Sequence, residues 1–579
     1  PFWPKASRAR AKAARAPGPA MRLLLVLAAA ALASAALPRL QEISSANGTL
    51  DTTLRIGVHR VETDVLAFDA KVFNGLFPGP VLRVRKGETL RVLVANGLSG
   101  DNPDPGINRM RQPLTFSFHT HGLHVSPSGL SDNIFLEVHP GQEQQHVIEI
   151  PPDHAPGTHW YHAHHHGSSM LHVLKGLIGT IVIEDDDSVP LWLQQMREEV
   201  IVMHYMDLEE LQDLQEVIGD PIALNADQRQ SLNAFYTING AYSPTMDVVA
   251  QDWVRLRLVH ASYGPQLKLQ IRSRGGGACA MWLLSNDGVS LDRPRPVQHV
   301  VFVPGSRRDI ALRCDAGSYE VLGVQGAGGG GRDRLWFTGV VMLISATSGA
   351  AGVSAEEAAR PAMAQRDLWS SPKPHYLSDL RGRAPDQTYA VEFGDPDPFS
   401  TNGAFIGASA ALAIASCASC ALGAGCLYRR RNPGDQKRSC LAGLSTRQRL
   451  LACGLCAVPL VALIVVWIVL LAQAIPLLQG EAVNGVAYNG EVMVQMKVDT
   501  LQEWTLGGAE HPFHMHTNHF QVIEHGQSDD FVPGEWYDGV PADGLIRFYT
   551  DRFTGTLVLH CHHLEHEDEG MMAKIEIVP

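Results

Sequence analysis

Short stretches in which apolar and polar residues alternate recur along most of this 579-residue chain. Alternation with a period of two is typical of β-strands that bury one face, and clusters of Gly, Pro, Asn and Asp separate the stretches as turns would. The clearest stretches read LRIGVHRV, VLRVRKGETLRVLVAN, LTFSFHTH, QHVIEI, GTIVIED, TMDVVAQDWVRLRLVHAS and GTLVLHCH. Many short strands at regular spacing predict an all-β protein made of sandwiches or barrels.

The strand-like stretches fall into three groups along the chain. We predict three β domains, at residues 50–187, 195–346 and 383–579, which agrees with roughly 100 to 200 residues per domain. Residues 347–382 separate the second group from the third. They begin with a stretch rich in Ala, Ser, Glu and Pro, and we interpret them as a linker.

The N-terminal region follows a different pattern. From Met21 a short basic start leads into an apolar run that ends in Ala33-Ser34-Ala35, a small-x-small sequence typical of a signal-peptidase site. Residues 21–35 are therefore predicted to be a signal peptide that directs the protein into the secretory pathway. Residues 1–20 precede this methionine and are interpreted as translated upstream sequence or a basic presequence.

Two long uncharged stretches, 404–427 and 450–472, interrupt the third predicted domain. Each exceeds the roughly 20 residues that a helix needs to cross a bilayer. The loop between them carries seven Lys and Arg residues, which the positive-inside rule places in the cytoplasm. A two-helix transmembrane hairpin is thus predicted, with the β domains outside the cell or in a lumen. The alternative is that residues 404–479 are a retained intron or a gene-model error, which would leave a secreted soluble protein.

Composition and charge exclude some classes of function. Hydrophobic residues make up 45% of the chain and charged residues 18%, which describes a folded protein. The net charge is −13, and because segments 1–35 and 428–449 each carry +6, the rest of the chain is near −25. Nucleic-acid binding usually needs a basic face, so no nucleic-acid partner is expected.

Cysteine usage is uneven along the chain. Six of the nine cysteines lie in or between the two uncharged stretches, which leaves Cys279, Cys314 and Cys561 in the β domains. Cys279 and Cys314 are candidates for a disulfide, but the sequence alone leaves their pairing open.

Histidine carries the strongest chemical signal, with 26 residues that concentrate in four clusters. The clusters contain His119 and His121; His162 and His164; His511, His514 and His516; and His560 and His562, followed by His566 and Met571. Residues i and i+2 of a strand point to one face. His560 and His562 therefore leave one face of a predicted strand and Cys561 leaves the other, so that one strand can supply two metal sites.

Cys561, His566, Met571 and His511 together offer a thiolate, two imidazoles and a thioether. Two His, one Cys and a weak axial Met form the ligand set of a blue-copper electron-transfer site. A structural zinc site more often uses four tight nitrogen or sulfur ligands without Met. The ligand types therefore favour copper at Cys561.

The motifs HTHG and WYHAHHHG near the start, and HPFHMHTNHFQV and HCHHLEHEDEGMM near the end, resemble those of the multicopper oxidases, which include laccases, ferroxidases and copper-efflux oxidases. The resemblance implies three cupredoxin-like Greek-key domains and four copper ions. It implies a type 1 copper on His511, Cys561, His566 and Met571, a type 2 copper on His119 and His514, and a type 3 pair on His121, His162, His164, His516, His560 and His562.

The same resemblance implies an activity. One-electron oxidation of four donor equivalents at the type 1 copper would be coupled to the four-electron reduction of O₂ to water at the other three coppers. An axial Met571 implies a low or moderate potential, which favours easily oxidised donors such as Fe(II), Cu(I) or electron-rich phenols. A metal permease is the partner that we expect for a membrane-tethered oxidase of this type.

Two carboxylates resemble the acids that deliver protons in this family, and with Cys561 they complete the predicted catalytic residues. Asp132 lies downstream of the HTHG motif, although Asn133 stands where the family usually has Gly. Glu567 directly follows His566 and matches a family glutamate near the type 3 pair. The alternative for each is a solvated or hydrogen-bonding carboxylate.

Other charged and histidine residues near the motifs carry weaker signals. No ligand position remains for His165, His166 and His563, which we interpret as neighbours of the ligands or as exposed residues. Four acids follow the third motif, and they either guide metal ions towards His511 or are ordinary loop acids: Asp529, Asp530, Glu535 and Asp538.

Three other functions compete with the oxidase. The main alternative is a non-enzymatic copper-binding or cell-surface structural protein of the same fold. The complete set of predicted ligands argues against it, since such relatives typically lose ligands. A copper store is a further alternative, whereas a copper nitrite reductase lacks the paired HCH motif seen here.

Overall fold

The computed structural model of the chain describes residues 35–63, 65–212, 222–224, 233–326, 336–349, 363–396, 481–526 and 529–579. One compact unit consists of the described residues up to Phe393 together with Tyr488–Pro579, and a second lies within Gly394–Ala487. The predicted presequence, the signal peptide up to residue 34 and the predicted insertion 404–479 lie outside the described residues.

Among the described residues, no helix is both long enough and apolar enough to cross a membrane. Both helices of the predicted hairpin fall in the part of the chain that is not described, so the hairpin stays a prediction.

A first β-sandwich is formed by the N-terminal third of the chain. Its strands are β1 (Glu42–Ser44), β2 (Thr49–Glu62), β3 (Leu66–Phe73), β4 (Val81–Val84), β5 (Thr89–Asn96), β6 (Phe116–His121), β7 (Glu137–Val138), β8 (Glu143–Glu149), β9 (Gly157–Ala163) and β10 (Ile178–Ile183). One sheet has the order β1-β4-β10-β9-β6-β7 and the other contains β3-β2-β5-β8. Apolar residues of both sheets, such as Leu54, Val92, Phe116 and Phe118, share one core.

A second sandwich follows. Its strands are β11 (Arg197–Asp207), β12 (Ile222–Leu224), β13 (Ala234–Ile238), β14 (Ala241–Tyr242), β15 (Thr245–Val249), β16 (Val254–His260), β17 (Leu267–Ser273), β18 (Cys279–Asn286), β19 (Val289–Val297), β20 (Val300–Phe302), β21 (Arg307–Cys314), β22 (Gly317–Val324) and β23 (Gly339–Thr347). The sheets have the orders β14-β13-β11-β16-β21-β18-β19 and β15-β23-β22-β17-β20, while β12 pairs with β3 of the first sandwich.

The third sandwich uses the C-terminal region. The strands are β24 (Gln387–Gly394), β25 (Ala482–Val483), β26 (Val492–Lys497), β27 (Leu501–Gly507), β28 (Pro512–Met515), β29 (Phe520–His525), β30 (Trp536–Tyr537), β31 (Gly539–Pro541), β32 (Gly544–Tyr549), β33 (Gly555–Cys561) and β34 (Met572–Val578). Apart from β25, which belongs to the second unit, they form sheets β24-β27-β32-β29-β30 and β26-β34-β33-β28-β31. Phe513 and Phe520 link the two sheets, with ring centroids 5.5 Å apart.

The described helices are short, as expected for a protein that is mostly β. They include α1 (Ser169–Leu174), α2 (Leu191–Gln194) and α3 (Leu564–Asp568), with 3₁₀ turns at Met363–Gln365 and His375–Leu377. Residues 208–212 are also helical. All seven alternating stretches of the sequence lie on strands, so the β-sandwich prediction is confirmed for the described residues.

Strands β6, β9 and β16 are buried on both faces. One core cluster contains Phe68 and Trp160 of the first sandwich together with Val202 and Leu258 of the second, so these sandwiches pack directly on each other. The polar face of β6, with Ser117, His119 and His121, is therefore enclosed by protein and not exposed to solvent.

Part of the predicted linker packs against the sandwiches, within the described residues 363–382. Tyr376, Leu377 and Leu380 are buried in a cluster that also contains Ala155 of the first sandwich and Trp536 of the third. The backbone N–H of Ala155 donates to the Tyr376 hydroxyl at 3.0 Å. The described end of the predicted linker thus packs against the first and third sandwiches, and the linker boundaries 347–382 stay a prediction.

Cys279 and Cys314 form a disulfide between paired strands β18 and β21. The structure thereby answers the question that the sequence left open.

Candidate metal centre

Two antiparallel strand pairs carry the histidine motifs. In the first sandwich β6 pairs with β9, and His119 lies opposite His162. In the third sandwich β28 pairs with β33, and His514 lies opposite His560. Residues opposite each other project to the same face of a sheet, so each strand pair presents two imidazoles side by side.

Both patterns continue past the strand ends. The backbone N–H of His164 donates to the carbonyl oxygen of Ser117, and that of His516 donates to Val558, each at 3.1 Å. These bonds extend the strands by two residues, which returns each later histidine to the face of the earlier one. The first and third sandwiches therefore present matching sets of histidines.

Eight histidines meet in one cluster between the first and third sandwiches, and none is more than 2% exposed. The ring of His119 stacks on His516 with centroids 3.7 Å apart, and His121 stacks on His514 at 3.8 Å. The cluster, which we call the histidine cluster, consists of His119, His121, His162, His164, His514, His516, His560 and His562. It contains every residue predicted as a type 2 or type 3 ligand.

Backbone hydrogen bonds fix the orientation of several rings. Nδ1 donates to a carbonyl oxygen at 2.7–2.9 Å in three of them: His162 to Ala163, His514 to Asp538 and His560 to Cys561. A neutral imidazole that donates from Nδ1 carries its lone pair on Nε2. Among the described residues, no group hydrogen-bonds to Nε2 of His119, His162, His514 or His516, or to Nδ1 of His121.

Burial keeps these imidazoles neutral. Loss of hydration, followed by repulsion from neighbouring imidazoles, lowers the pKa of His119, His162 and His560 well below the ordinary value. Burial likewise lowers the pKa of His164 to about 3. A buried polar atom without a partner is costly, and several of these atoms converge on one place. Neutral imidazoles of this kind are the form that binds metal ions.

The spacing of the ligand atoms also fits metal ions. Among the described residues, several overlapping groups have candidate ligand atoms within 4.8 Å of one another. They include His121, His514 and Asp538; His119, His514 and His516; His119, His121 and His162; and His164, His516 and His560. In the last group, Nε2 of His164 lies 3.1 Å from Nε2 of His560. The histidine cluster can therefore hold more than one ion, and imidazole is a suitable ligand for copper.

Cys561 begins a second group, on the other face of β33. Its Sγ lies 3.6 Å from Nδ1 of His511 and 3.7 Å from Nδ1 of His566. Its backbone N–H donates to the carbonyl oxygen of Met571 at 3.0 Å, so the fully buried Met571 is its neighbour. Cys561 is buried, whereas His511 and His566 are half-buried. Solvent therefore reaches this group at its histidine edge.

Asp132 lies against the histidine cluster. Both of its carboxylate oxygens are 3.1 Å from Nδ1 of His119, and one accepts the backbone N–H of Thr120 at 2.7 Å. Burial raises the pKa of Asp132 to about 7, although the hydrogen bonds from Thr120 oppose this effect. The side chain is therefore bonded to a predicted ligand and is not a solvated loop acid.

Glu567 occupies a separate buried position. Its Oε1 lies 2.9 Å from Nδ1 of His166, and Nε2 of that ring lies 3.0 Å from the side-chain oxygen of Asn108. Burial raises the pKa of Glu567 to about 7. His166 is therefore a partner of the predicted acid. These two residues are 401 positions apart, and no pattern in the sequence pairs them.

Asp568 is a residue that the sequence analysis did not single out. Its carboxylate accepts the backbone N–H groups of Gly167, Ser169 and Met170 at 2.6–3.0 Å. These groups lie at the start of α1, directly after the second histidine motif. The hydrogen bonds of Asp568 therefore hold the start of α1 against α3, the helix that follows Cys561.

Asp538 was grouped with acids that either guide metal ions or sit in loops, and the structure shows a different position. The side chain is 1% exposed, and its Oδ1 lies 3.3 Å from Nε2 of His121. Neighbouring Glu535 is bonded to Arg295 and Asn286. The guiding role is thus wrong for Asp538, because the β30–β31 connection carries it into the interior beside the histidine cluster.

Comparison with known proteins supports the resemblance seen in the motifs. Residues 106–188 and residues 472–579 each match a sequence profile of the multicopper oxidases. The chain is 28% identical over 280 residues to a protein named cell division protein FtsP from Photorhabdus laumondii, which covers 47% of this chain and 53% of that protein. The match thus spans about half the length of this curated relative.

Solved structures match over almost the whole chain. A multicopper oxidase from Campylobacter jejuni, described as a metallo-oxidase, has a TM-score of 0.60 at 19% identity and covers 94% of each chain. The McoA multicopper oxidase from Aquifex aeolicus also has a TM-score of 0.60, at 18% identity over 95% of this chain and 100% of that one. Identity at this level shows a shared fold. Two segments of the chain are thus similar to multicopper oxidases in sequence, and its fold is similar to the fold of solved multicopper oxidases.

Proposed function

We propose that this protein is a copper-dependent oxidase that couples the one-electron oxidation of a small donor to the four-electron reduction of O₂ to water. The observation that carries the proposal is the convergence of the predicted ligands into two adjacent groups, one of eight buried imidazoles and one around Cys561. Four bound copper ions, one at Cys561 and three in the histidine cluster, would supply the electron transfer and the oxygen chemistry.

Each predicted ligand has a place in this proposal. His511, Cys561, His566 and Met571 would hold the type 1 ion, and His119 and His514 the type 2 ion. The other six members of the histidine cluster would hold the type 3 pair: His121, His162, His164, His516, His560 and His562. Support comes from the neutral state of these imidazoles and from the lone pairs that their backbone hydrogen bonds leave inside the cluster.

The two groups differ in their access to solvent, and this difference suits their proposed tasks. His511 and His566 are half-buried, so a donor can approach the Cys561 group from outside. The histidine cluster is enclosed, which keeps partly reduced oxygen away from other molecules. Cys561 is bonded through the backbone to His560 and His562, and therefore links the two groups over a short distance.

Protons are the second requirement of O₂ reduction. We assign their delivery to Asp132 and Glu567, because burial raises the pKa of both carboxyls to about 7. An acid whose pKa is near the working pH both gives and regains a proton readily. Asp132 contacts His119 directly, and Glu567 acts through His166.

The donor class follows from the Cys561 group. Its neighbour Met571 is a weak thioether ligand, which favours donors that lose an electron easily. We propose Fe(II), Cu(I) or an electron-rich phenol as the donor. The disulfide between Cys279 and Cys314 supports export to an oxidising compartment, as the predicted signal peptide also does.

Oxygen uptake by the purified, copper-loaded protein tests the proposal. Fe(II), Cu(I) and dimethoxyphenol are supplied in turn to the wild type, to Cys561→Ser and to His525→Gln, a matched control on a histidine that stacks on Phe531 outside both groups. We expect uptake by the wild type and by His525→Gln, and its loss in Cys561→Ser. Equal uptake by all three proteins would disprove the role of Cys561.

A structural role in cell division is the second candidate, and the identity with the FtsP relatives favours it. Such a role requires no consumption of O₂. A protein that binds copper but takes up no oxygen with any of the three donors would favour this candidate over the oxidase.

A further inference from the structure

We propose that Arg307 of the second sandwich is a positioning residue for the histidine cluster, to which that sandwich supplies no predicted ligand. The inference rests on the proposed copper function and adds how two of the ligand rings are held. Arg307 begins β21 and its side chain is fully buried.

Every N–H of the Arg307 guanidinium has an acceptor. Nε donates to the carbonyl oxygen of Thr158 at 3.2 Å. Nη1 donates to the carbonyl oxygen of Gly305 at 3.1 Å and to Oδ1 of Asp538 at 2.8 Å. Nη2 donates to the carbonyl oxygen of Asp287 at 2.9 Å and to Oδ2 of Asp538 at 2.6 Å. One side chain thus joins β9 of the first sandwich to the β30–β31 connection of the third.

Asp538, which Arg307 holds in place, contacts two predicted ligands. Its Oδ1 lies 3.3 Å from Nε2 of His121, and its carbonyl oxygen accepts Nδ1 of His514 at 2.7 Å. Its backbone N–H donates to the Asp287 carboxylate at 3.2 Å. His121 and His514 stack on each other, and the nitrogens that they leave unbonded face the histidine cluster. The position of Asp538 therefore sets the orientation of both rings.

Arg307 bonds both carboxylate oxygens of Asp538 in a fork, through Nη1 at 2.8 Å and through Nη2 at 2.6 Å. A carboxylate at this position keeps the proton of His121 on Nε2, which leaves Nδ1 for a metal ion.

Gly122, the last residue of the HTHG motif, makes room for this pair. A Cβ at Gly122 would lie 2.1 Å from Nη2 of Arg307 and 2.7 Å from Oδ2 of Asp538. The motif thus supplies two histidines and, directly after them, the space through which Arg307 reaches Asp538.

Arg307→Lys tests the inference, because Lys keeps the charge but cannot bond both carboxylate oxygens in a fork. The matched control is Arg255→Lys. Arg255 is 3% exposed and pairs with Asp185 and Asp309 at 2.7 Å, across the first and second sandwiches but away from Asp538.

Both variants and the wild type are loaded with copper and dialysed, and copper per chain is measured by elemental analysis. Optical and electron paramagnetic resonance spectra distinguish thiolate-bound copper from copper bound by nitrogen alone.

For Arg307→Lys we expect about 10- to 100-fold weaker binding of the copper that lacks a thiolate ligand, with an altered resonance signal and an unchanged thiolate band. Arg255→Lys is expected to match the wild type. If Arg307→Lys does not fold, Asp538→Asn breaks the same link and is expected to give the same selective loss.

Unchanged copper content and spectra in the Arg307 or Asp538 variant would overturn the inference, as would equal losses in Arg255→Lys. Loss of both kinds of copper together would also overturn it, since that indicates general damage to the fold. A wild type that holds no copper at all would overturn the proposed function, and the positioning role with it.

Discussion

The carboxylate of Asp132 lies 3.1 Å from Nδ1 of His119 and also accepts the backbone N–H of Thr120 at 2.7 Å. The first contact turns Nε2 of His119 towards the rest of the histidine cluster, while the second closes the loop after β6. A pKa of about 7, raised by burial, lets the same side chain hold or release a proton near neutral pH. One residue thus orients a predicted ligand and has the pKa that the proposed role in proton delivery requires.

Substitution Asp132→Asn separates these two tasks. Asn still accepts hydrogen bonds from Thr120 and His119 but carries no acidic proton, so we expect oxygen uptake to fall by about 10²-fold or more while copper content stays unchanged. Glu137→Gln is the control, on a nearby carboxylate that begins β7 and is 38% exposed. Full uptake by Asp132→Asn would remove proton delivery from this residue.

The sequence singles out the candidate ligands because each motif is local. His119 and His121 are two residues apart on β6, and His560 and His562 are two residues apart at the end of β33, so alternation alone predicts that each pair shares one face. The strand pairings that bring these faces together join distant parts of the chain. The family resemblance supplied that step, and the pattern of residues did not.

The residues that the sequence analysis missed, or to which it gave another role, act through long-range contacts. Arg307 and Asp538 are 231 positions apart and belong to different sandwiches. Asp568 and the start of α1 are about 400 positions apart. No periodicity marks such partners, since each depends on how whole sandwiches pack. Gly122 offered the only local hint, because a glycine after HTH implies that something lies close to the backbone.

The predicted linker shows what composition leaves out. The segment begins with residues rich in Ala, Ser, Glu and Pro, whereas Tyr376 and Leu377, farther along, are buried in a cluster with residues of the first and third sandwiches. Two buried apolar residues in a short segment give no periodic signal, so composition dominated the prediction.

Gly122→Ala is expected to destabilise the protein. The backbone of Gly122 has a φ of +90°, and an added Cβ would collide with Arg307. Gly129→Ala is the control, because Gly129 has a φ of +62° and no atom within 4 Å of the added carbon. We expect about 1–2 kcal/mol of destabilisation in Gly129→Ala from backbone strain. Gly122→Ala should cost about 1–3 kcal/mol more, from overpacking.

Denaturant unfolding of the copper-free proteins measures this difference. Equal free energies of unfolding in the two variants would show that Arg307 moves aside without cost, which would contradict tight packing around the Arg307–Asp538 pair.

Met571→Leu is expected to raise the reduction potential at the Cys561 group. Removal of the thioether destabilises the oxidised ion more than the reduced one. We expect at least a tenfold shift in the redox equilibrium, about 59 mV for one electron. Met572→Leu is the matched control, because Met572 is also buried but begins β34 and lies opposite His560. Redox titration of the thiolate band measures both variants, and identical potentials would rule out Met571 as an axial ligand.

His154 connects pH to the stability of the copper-free chain. Burial lowers its pKa to about 3, against about 6.5 in an unfolded chain. Between these values the unfolded chain binds a proton that the folded chain does not. The stabilisation is therefore complete above about pH 6.5 and is lost on acidification, by up to about 1.4 kcal/mol per pH unit.

The variant His154→Gln does not titrate at this position but retains an acceptor for the backbone N–H of His124, a hydrogen bond of 3.0 Å in the wild type. Denaturant unfolding between about pH 5 and 7 should show a shallower loss of stability in His154→Gln than in the wild type. His59→Gln, on an exposed histidine, is the control and should follow the wild type. Parallel profiles for all three proteins would mean that His154 is protonated in the folded chain.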